Sequence, residues 1–188
     1  MKRFAMAALV AGSISAWAGD PIKVKIMVFD YTKLSSDQLY GSLAETTNVF
    51  RKAGIELNWC VGLAASDECI AEERQTGEPH FLLNLLNEAM AGRLRMRSKH
   101  FGFAKAGTAY IHVPRTRDLA RDVGITVDVV LGHLIAHELG HVVLGPENHA
   151  PKGVMKAFLR KSEFEMASQG RLGFSSEAAQ RMRERLGR

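Results

Sequence analysis

The segment from Thr126 to Gly145 constrains this chain most, because it has every signal of one long helix. Thr126 is a suitable N-cap and Asp128 lies in the first turn. Gly145 followed by Pro146 is a stop signal. The apolar positions recur at helical spacing, at Val130, Leu134, Ile135 and Val142. The pattern predicts a long helix, and this helix carries the residues that bear on chemistry.

Inside this helix the chain reads His137-Glu138-Leu139-Gly140-His141, which is the pattern HExxH. Residues four apart lie on the same helix face with Cβ atoms about 5–6 Å apart, so both imidazoles can bind one Zn²⁺ at about 2.0–2.1 Å. The carboxylate of Glu138 is adjacent to that face. It can take a proton from a water activated by the metal and pass it to a leaving amine. The motif predicts a zinc site with Glu138 as general base and acid.

A third zinc ligand is expected, because a catalytic zinc takes three protein groups and keeps one position for water. His149 is the favoured candidate, since it follows the Gly145-Pro146 break, where the chain can turn back towards the helix. Glu147 and Asn148 are the alternatives within reach.

The other histidines are predicted to lie outside the metal site. His133 is in helical register with the motif, but at 1.5 Å per residue it lies about 12 Å along the axis from His141. One ion cannot comfortably bind both, so His133 is expected either to support the ligands from behind without touching the metal or simply to be packed in the protein. His80, His100 and His112 have no partner at ligand spacing and are expected to be surface or strand residues.

The run HELGHVVLGPENHAPKGVM, from His137 to Met155, resembles the metzincin signature HExxHxxGxxH followed by a methionine turn. The resemblance implies that Gly145 is the hinge after the helix and that Met155 lies beneath the metal. It also implies the site itself, with Glu138 as catalytic acid and base and with the zinc ligands His137, His141 and His149.

The spacing departs from that signature, because Gly145 falls one residue later than the family glycine and His149 falls two residues later than the family histidine. The chain is more similar to small secreted bacterial proteins that carry HExxHxxLG, a longer turn, and then HxPxGxM. The matching residues here are Leu144, Gly145, His149, Pro151, Gly153 and Met155.

Hydrophobic periodicity predicts the elements around the helix. Lys23–Tyr31 and Ile55–Val61 alternate as strands do, and Ser36–Lys52 has helical spacing, so the three form a βαβ unit. Phe81–Leu86 is an apolar run that we interpret as a strand. Thr108–Val113 is a further strand, placed at the sheet edge because Pro114 cannot donate to a ladder, and in metzincins such a strand pairs with the substrate.

Two C-terminal helical pieces, Glu163–Gly170 and Ser175–Leu186, are expected to pack behind the site. The fold class is therefore α+β and zincin- or metzincin-like. It has a small mixed twisted sheet, a backing helix, an active-site helix and a short helical C-terminal subdomain.

The N-terminus has the features of a cleavable signal peptide. Lys2 and Arg3 precede an apolar stretch, Phe4–Ile14, and Ala16-Trp17-Ala18 is a small-x-small cleavage site. The stretch is far shorter than the roughly 20 residues of a membrane span. We therefore expect residues 1–18 to be removed, residues 19–188 to form a single domain, and the protein to be secreted or periplasmic.

An oxidising compartment favours a disulfide between Cys60 and Cys69. Without Lys2 and Arg3 the 25 basic residues become 23, against 20 acidic residues, and this weak positive charge indicates no nucleic-acid partner. The arginine-rich C-terminal helix is typical of a solvated face. We expect a monomer with no membrane span.

The sequence predicts a secreted zinc-dependent endopeptidase acting on a peptide or protein substrate. A hydrolase of cell-wall peptides would use the same activation of water. The alternative from another class is a secreted zinc-binding or protein-binding module on the same scaffold with little or no proteolysis. Glu138 favours the enzyme, because a site that only binds metal does not need a carboxylate beside its first histidine.

Overall fold

A computed structural model describes residues 20–62, 77–96 and 100–187. Its strands are β1 (Ile22–Asp30), β2 (Ile55–Val61), β3 (His80–Leu86), β4 (Gly102–Lys105) and β5 (Thr108–His112). Its helices are α1 (Ser36–Arg51), α2 (Glu88–Arg93), α3 (Val113–Val123), α4 (Val127–Leu144), α5 (Lys161–Ser168) and α6 (Ser176–Leu186).

The strands form one mixed sheet in the order β2-β1-β3-β5-β4. The first three pairings along this order are parallel, and β4 pairs antiparallel with β5. The predicted βαβ unit is confirmed, since β1 and β2 are parallel with Ile22 opposite Ile55 and α1 connects them. The strand prediction for Phe81–Leu86 is confirmed as well, because it lies within β3.

Helix α1 begins where the sequence predicts, with the Ser35 hydroxyl accepting a hydrogen bond from the Gln38 amide at 3.2 Å. It packs against α4 at close range. The contact centres on Thr46, which is fully buried and whose hydroxyl lies 2.9 Å from the Gly132 carbonyl. A Cβ atom on Gly132 would lie only 2.5 Å from the Glu45 Cβ, so a glycine is needed for this helix approach.

The prediction that Thr108–Val113 is an edge strand is wrong. This segment forms β5, which has β3 on one side and β4 on the other. Pro114 occupies the start of α3, where a missing amide hydrogen costs nothing because the first turn has no partner for it. The edge strand beside α4 is Gly102–Lys105.

Two helices were not predicted. Helix α2 covers Glu88–Arg93, between β3 and residues 97–99, which lie outside the described part. Helix α3 ends at Gly124, whose φ of 72° is the left-handed conformation that suits glycine.

Helix α4 confirms the predicted long helix, with Thr126 at its N-cap and Gly145 at its C-cap. Among the described residues it is the one helix long and apolar enough to span a membrane, yet 78% of it is buried inside the fold. It is therefore the central core helix, in contact with α1, α3, strands β4 and β5, and both C-terminal helices.

The C-terminal helices α5 and α6 pack against α4, close to their predicted bounds. The Ser175 hydroxyl caps α6 by accepting a hydrogen bond from the Ala178 amide at 3.2 Å. Phe174, just before this helix, makes an edge-to-face contact with Phe50 of α1 at 5.0 Å between ring centres. The predicted α+β architecture, with a backing helix and a helical C-terminal part, is confirmed.

Candidate metal centre

Three histidine rings converge at the C-terminal half of α4. The Nε2 atom of His141 lies 3.1 Å from the Nε2 atoms of both His137 and His149. One ligand nitrogen from each of the three rings lies within 4.8 Å of the other two. The helix supplies two of these rings because its period brings residues four apart onto one face. The turn after Gly145 brings the third.

The far side of each helical imidazole is hydrogen-bonded to a backbone carbonyl. The Nδ1–H of His137 donates to the Val154 carbonyl at 2.8 Å, and that of His141 donates to the Gly145 carbonyl at 3.1 Å. With the proton held on Nδ1, each ring directs the lone pair of Nε2 towards the centre of the cluster. Backbone partners of this kind fix the orientation of metal-binding histidines.

Burial keeps the two helical histidines neutral. It lowers the pKa of His137 to about 4, although the hydrogen bond to Val154 acts in the opposite direction. Burial lowers the pKa of His141 as well, again against its hydrogen bond to Gly145. A neutral imidazole is the form that binds a metal, so both rings are prepared for a cation without first losing a proton.

Glu138 lies on α4 beside this cluster and is only 8% exposed. Burial raises the pKa of its carboxyl to about 8. The edge strand β4 closes over it at Gly102, where a Cβ atom would lie 2.7 Å from the Glu138 Cγ and 2.8 Å from its Oε1. Since any side chain at position 102 would displace the carboxylate, the glycine leaves it room to face the cleft.

A tight turn before α5 supports the cluster from below. The Ala150 amide donates to the Met155 carbonyl, and the Val154 amide donates to the Gly173 carbonyl, both at 2.8 Å. Met155 is buried, and its sulfur lies against Gly140, the residue just before His141. The turn thus holds both the carbonyl that orients His137 and a methionine that packs against the helix carrying the rings.

The structure separates the candidates for the third ligand. It brings His149 into the cluster, whereas Glu147 is exposed and does not belong to the group. His133 is buried and donates its Nδ1–H to the Val129 carbonyl at 2.8 Å, away from the other rings, as expected for a packed histidine. His112 is not on the surface: it is fully buried at the end of β5 and caps α3.

A cleft of about 360 Å³ opens beside Glu138 and the three histidines. Strand β4 forms one wall, and the segment after Met155 forms the opposite wall. Lys156 anchors that second wall to α5 through an ion pair with Glu163, at 2.6 Å between Nζ and Oε1. The inner lining is mostly apolar and includes Phe101, Leu119, Leu134, Leu159 and Phe164.

The donor set fits zinc. A tetrahedral Zn²⁺ with Zn–N bonds of about 2.0–2.1 Å separates its nitrogen ligands by about 3.3 Å, close to the 3.1 Å found for two pairs of Nε2 atoms. Three imidazoles that open onto a cleft leave one coordination position for water or substrate, the arrangement of catalytic zinc sites. Among the described residues this is the one cluster of three potential ligands.

The mixed sheet, the buried histidine-bearing helix and the supporting turn define the class of this chain as a zincin-like α+β fold. It is similar to the crystal structure of archaemetzincin from Methanopyrus kandleri, with a TM-score of 0.52 and 18% sequence identity over 91% of this chain and 98% of that one. At this identity the similarity establishes the fold. The solution structure of TM1509 from Thermotoga maritima, at a TM-score of 0.38, 11% identity and coverages of 86% and 89%, is too distant to bear on it. No family model and no curated protein matches the chain by sequence.

Sequence reasoning found the histidines and Glu138 but missed the residues that shape their surroundings. Gly102 was assigned to no element, and the wall at Lys156–Leu159 was not identified. The signal for β4 was present, because Phe103 and Tyr110 flank the Ala106-Gly107 turn at the spacing of a hairpin and stack at 4.5 Å between ring centres. A four-residue strand is too short for an alternating pattern to reveal.

Proposed function

We propose that this chain is a zinc-dependent endopeptidase with His137, His141 and His149 as zinc ligands and Glu138 as general base and acid. The observation that carries the proposal is the convergence of three Nε2 atoms beside a buried carboxylate at the floor of an open cleft. The zincin-like fold supports the same reading at the level of class.

When bound, zinc would supply Lewis-acid polarisation of the peptide carbonyl and increase the acidity of a water molecule. Glu138 takes a proton from the water as its oxygen attacks the peptide carbonyl carbon, and delivers that proton to the amine nitrogen as the C–N bond breaks. Its burial suits this exchange, because a carboxyl whose pKa lies near neutrality can both accept and return a proton. The carbonyls of Val154 and Gly145 hold the two helical imidazoles in place throughout.

An extended peptide is the substrate that we propose for this cleft. Strand β4 lies at the sheet edge and, among the described strands, pairs only with β5, so its other side can pair with a substrate backbone. The apolar inner lining, with Leu119 and Leu134 on neighbouring helices, accepts an apolar side chain next to the bond that is cleaved.

The proposal is tested by measuring bound zinc and casein cleavage on residues 19–188 and on three variants. Glu138→Gln should keep one zinc per chain and lose at least about 100-fold in kcat. His149→Ala should lose most of the zinc. Glu147→Gln is the matched control, because it removes a nearby exposed carboxylate and should leave both quantities unchanged.

Each pattern of results has a definite meaning. Stoichiometric zinc without cleavage of casein or of a peptide library would reject the enzyme and favour the alternative, a zinc-binding module. If His149→Ala keeps its zinc and Glu147→Gln loses it, the third ligand is Glu147 and not His149. A wild-type chain that binds no zinc would overturn the whole proposal.

We further propose that the protein is exported and carries a disulfide between Cys60 and Cys69. Cys60 is buried at the end of β2, while Cys69 and residues 1–19 lie outside the described residues. Mass spectrometry of the full-length chain expressed in a bacterium checks both points. The expected product begins at Gly19 and is 2 Da lighter than the fully reduced chain, whereas a retained Met1 or two free thiols would contradict the respective proposal.

A further inference from the structure

The C-terminal end of α4 is capped by side chains from outside the helix. The last carbonyls of a helix have no partner within it. Here the guanidinium of Arg185 on α6 donates to the Val143 carbonyl at 3.0 Å, and the amide of Asn148 donates to the Leu144 carbonyl. Two successive carbonyls at the base of the metal cluster are therefore held by specific donors.

Asn148 connects this helix end to α6. Its backbone amide donates to the Gly145 carbonyl at 3.3 Å, the same carbonyl that accepts from His141. Its side-chain oxygen accepts from the Arg181 guanidinium at 3.2 Å. Both faces of the amide are used: the NH₂ group holds the helix end, and the oxygen is held by α6.

The ring of His149 lacks the support that the other two rings have. It is exposed, and within the described residues it makes no hydrogen bond to a backbone carbonyl like those of His137 and His141. The position of the His149 ring must then be set by the backbone of His149. The adjacent residue, Asn148, is the one that ties this backbone to the end of the helix carrying the other two histidines.

We propose that Asn148, held by Arg181, is a positioning residue that places His149 for metal binding. The inference rests on the proposed zinc site and extends it to α6, whose arginines were expected to be a solvated face. Arg181 and Arg185 are indeed exposed, yet both also donate to the turn or helix end beside the site. His149 comes eight positions after His141, and Asn148 fixes the turn that this spacing creates.

The test measures the affinity of the metal-free chain for Zn²⁺ by competition with a chelator, and the visible spectrum of the Co²⁺-loaded chain. Asn148→Ala should bind zinc about 10–100-fold more weakly, the range found when a group that orients a ligand is removed. Asn148→Asp should be at least as weak, since it still accepts from Arg181 but cannot donate to the Leu144 carbonyl. Arg181→Ala should weaken binding less than Asn148→Ala.

The matched control is Arg183→Ala on the same helix. Arg183 donates to the Ala53 carbonyl at 2.7 Å, far from the turn, so its loss should lower the unfolding temperature and leave zinc affinity and the Co²⁺ spectrum unchanged. The double variant Asn148→Ala/Arg181→Ala should bind zinc as Asn148→Ala does, because both changes break one chain of contacts.

Zinc affinity within about threefold of wild type in Asn148→Ala and Asn148→Asp, with an unchanged Co²⁺ spectrum, would overturn the inference and leave the zinc site intact. A wild-type chain without zinc affinity would overturn both. If Asn148→Ala does not fold, Asn148→Asp and Arg181→Ala decide the question by the same two measurements.

Discussion

Gly140 lies so close to the sulfur of Met155 that a Cβ atom at position 140 would overlap it. The same Cβ atom would lie 3.1 Å from an edge carbon of Phe174. Met155 is 1% exposed, so the sulfur has little room to withdraw. The central helix and the turn that carries Met155 are thus packed so closely that one added methyl group at position 140 would not fit.

Gly140→Ala should destabilise the metal-free protein by about 1–3 kcal/mol, because overpacking outweighs the better helix propensity of alanine. Met155→Ala should cost about 2–5 kcal/mol by opening a cavity. The double variant should cost less than the sum of the two, since the cavity accepts the new methyl group. Urea unfolding curves provide all three numbers, and strict additivity would show that the two residues do not share this space.

Gly102→Ala should impair catalysis without releasing the metal. The new Cβ atom would lie 2.7 Å from the Glu138 Cγ and 2.7 Å from the Tyr110 carbonyl oxygen, so the carboxylate and the β4 backbone beside it must move apart. A displacement of about 1 Å at a reacting group can reduce the rate about 100-fold, and we expect a fall of 10- to 100-fold in kcat with an unchanged zinc content.

The matched control for that change is Gly92→Ala on α2, where nothing lies within 4 Å of the added atom. It should leave kcat unchanged. Full activity in Gly102→Ala would mean that Glu138 does not need its present position, and the assigned role of this carboxylate would have to be withdrawn.

His133 should make the metal-free fold sensitive to acid. Burial lowers its pKa below the ordinary 6.5, while Glu45 on α1 raises it and Lys52, just after α1, lowers it, both by smaller amounts. The folded state therefore binds fewer protons than the unfolded state below pH 6.5. This contribution to stability is complete above that pH and is lost as the pH falls towards the folded-state pKa.

His133→Gln keeps a donor for the Val129 carbonyl but does not titrate. Between pH 6.5 and pH 5 its unfolding free energy should fall less steeply than that of wild type, by up to about 1.4 kcal/mol per pH unit. Equal slopes in wild type and His133→Gln would show that this ring titrates normally in the fold.

Removal of the metal should lower stability and preserve the fold. The apolar core is built from the sheet and from helices α1, α3, α4, α5 and α6, and none of the three histidines belongs to it, so we expect it to persist when the cation is removed. Zinc that binds only the folded state should add about 4 kcal/mol when free zinc is 1,000 times Kd. Far-UV circular dichroism with and without a chelator should superimpose at 25 °C, while the unfolding temperature falls.

His149→Ala is the control for this measurement, since it should show little zinc-dependent shift in the unfolding temperature. A chain that loses its helical signal on chelation would instead have a structural metal, and zinc would then be part of the folding reaction.

The elements with strong local signals were predictable from sequence. Helix α4 has an N-cap, apolar residues at helical spacing and a glycine stop. In β1-α1-β2 the hydrophobic pattern changes clearly from strand alternation to helical spacing and back. The convergence of His137 and His141 followed from helix geometry. The third ring at His149 could be favoured over Glu147 but not settled, because a turn of this length has no fixed geometry.

The missed elements depend on contacts remote in sequence. Thr108–Val113 looks like an edge strand until β4 pairs with it, and the four residues of β4 carry no pattern of their own. The role of Arg181 depends on α6 packing against the end of α4, which no local signal predicts. The order of strands in a sheet, and the contacts that a side chain makes with a neighbouring helix, depend on the whole fold.

The two sides of the candidate metal centre differ in how freely they can change. His137 and His141 lie on the most buried helix, so the packing of the core sets the distance between them. A change in this helix would disturb packing throughout the molecule. The third ring stands on a turn of a few residues outside that core. We therefore expect that substitutions confined to residues 145–149 would change the preference and affinity of the proposed metal site while the scaffold continues to fold.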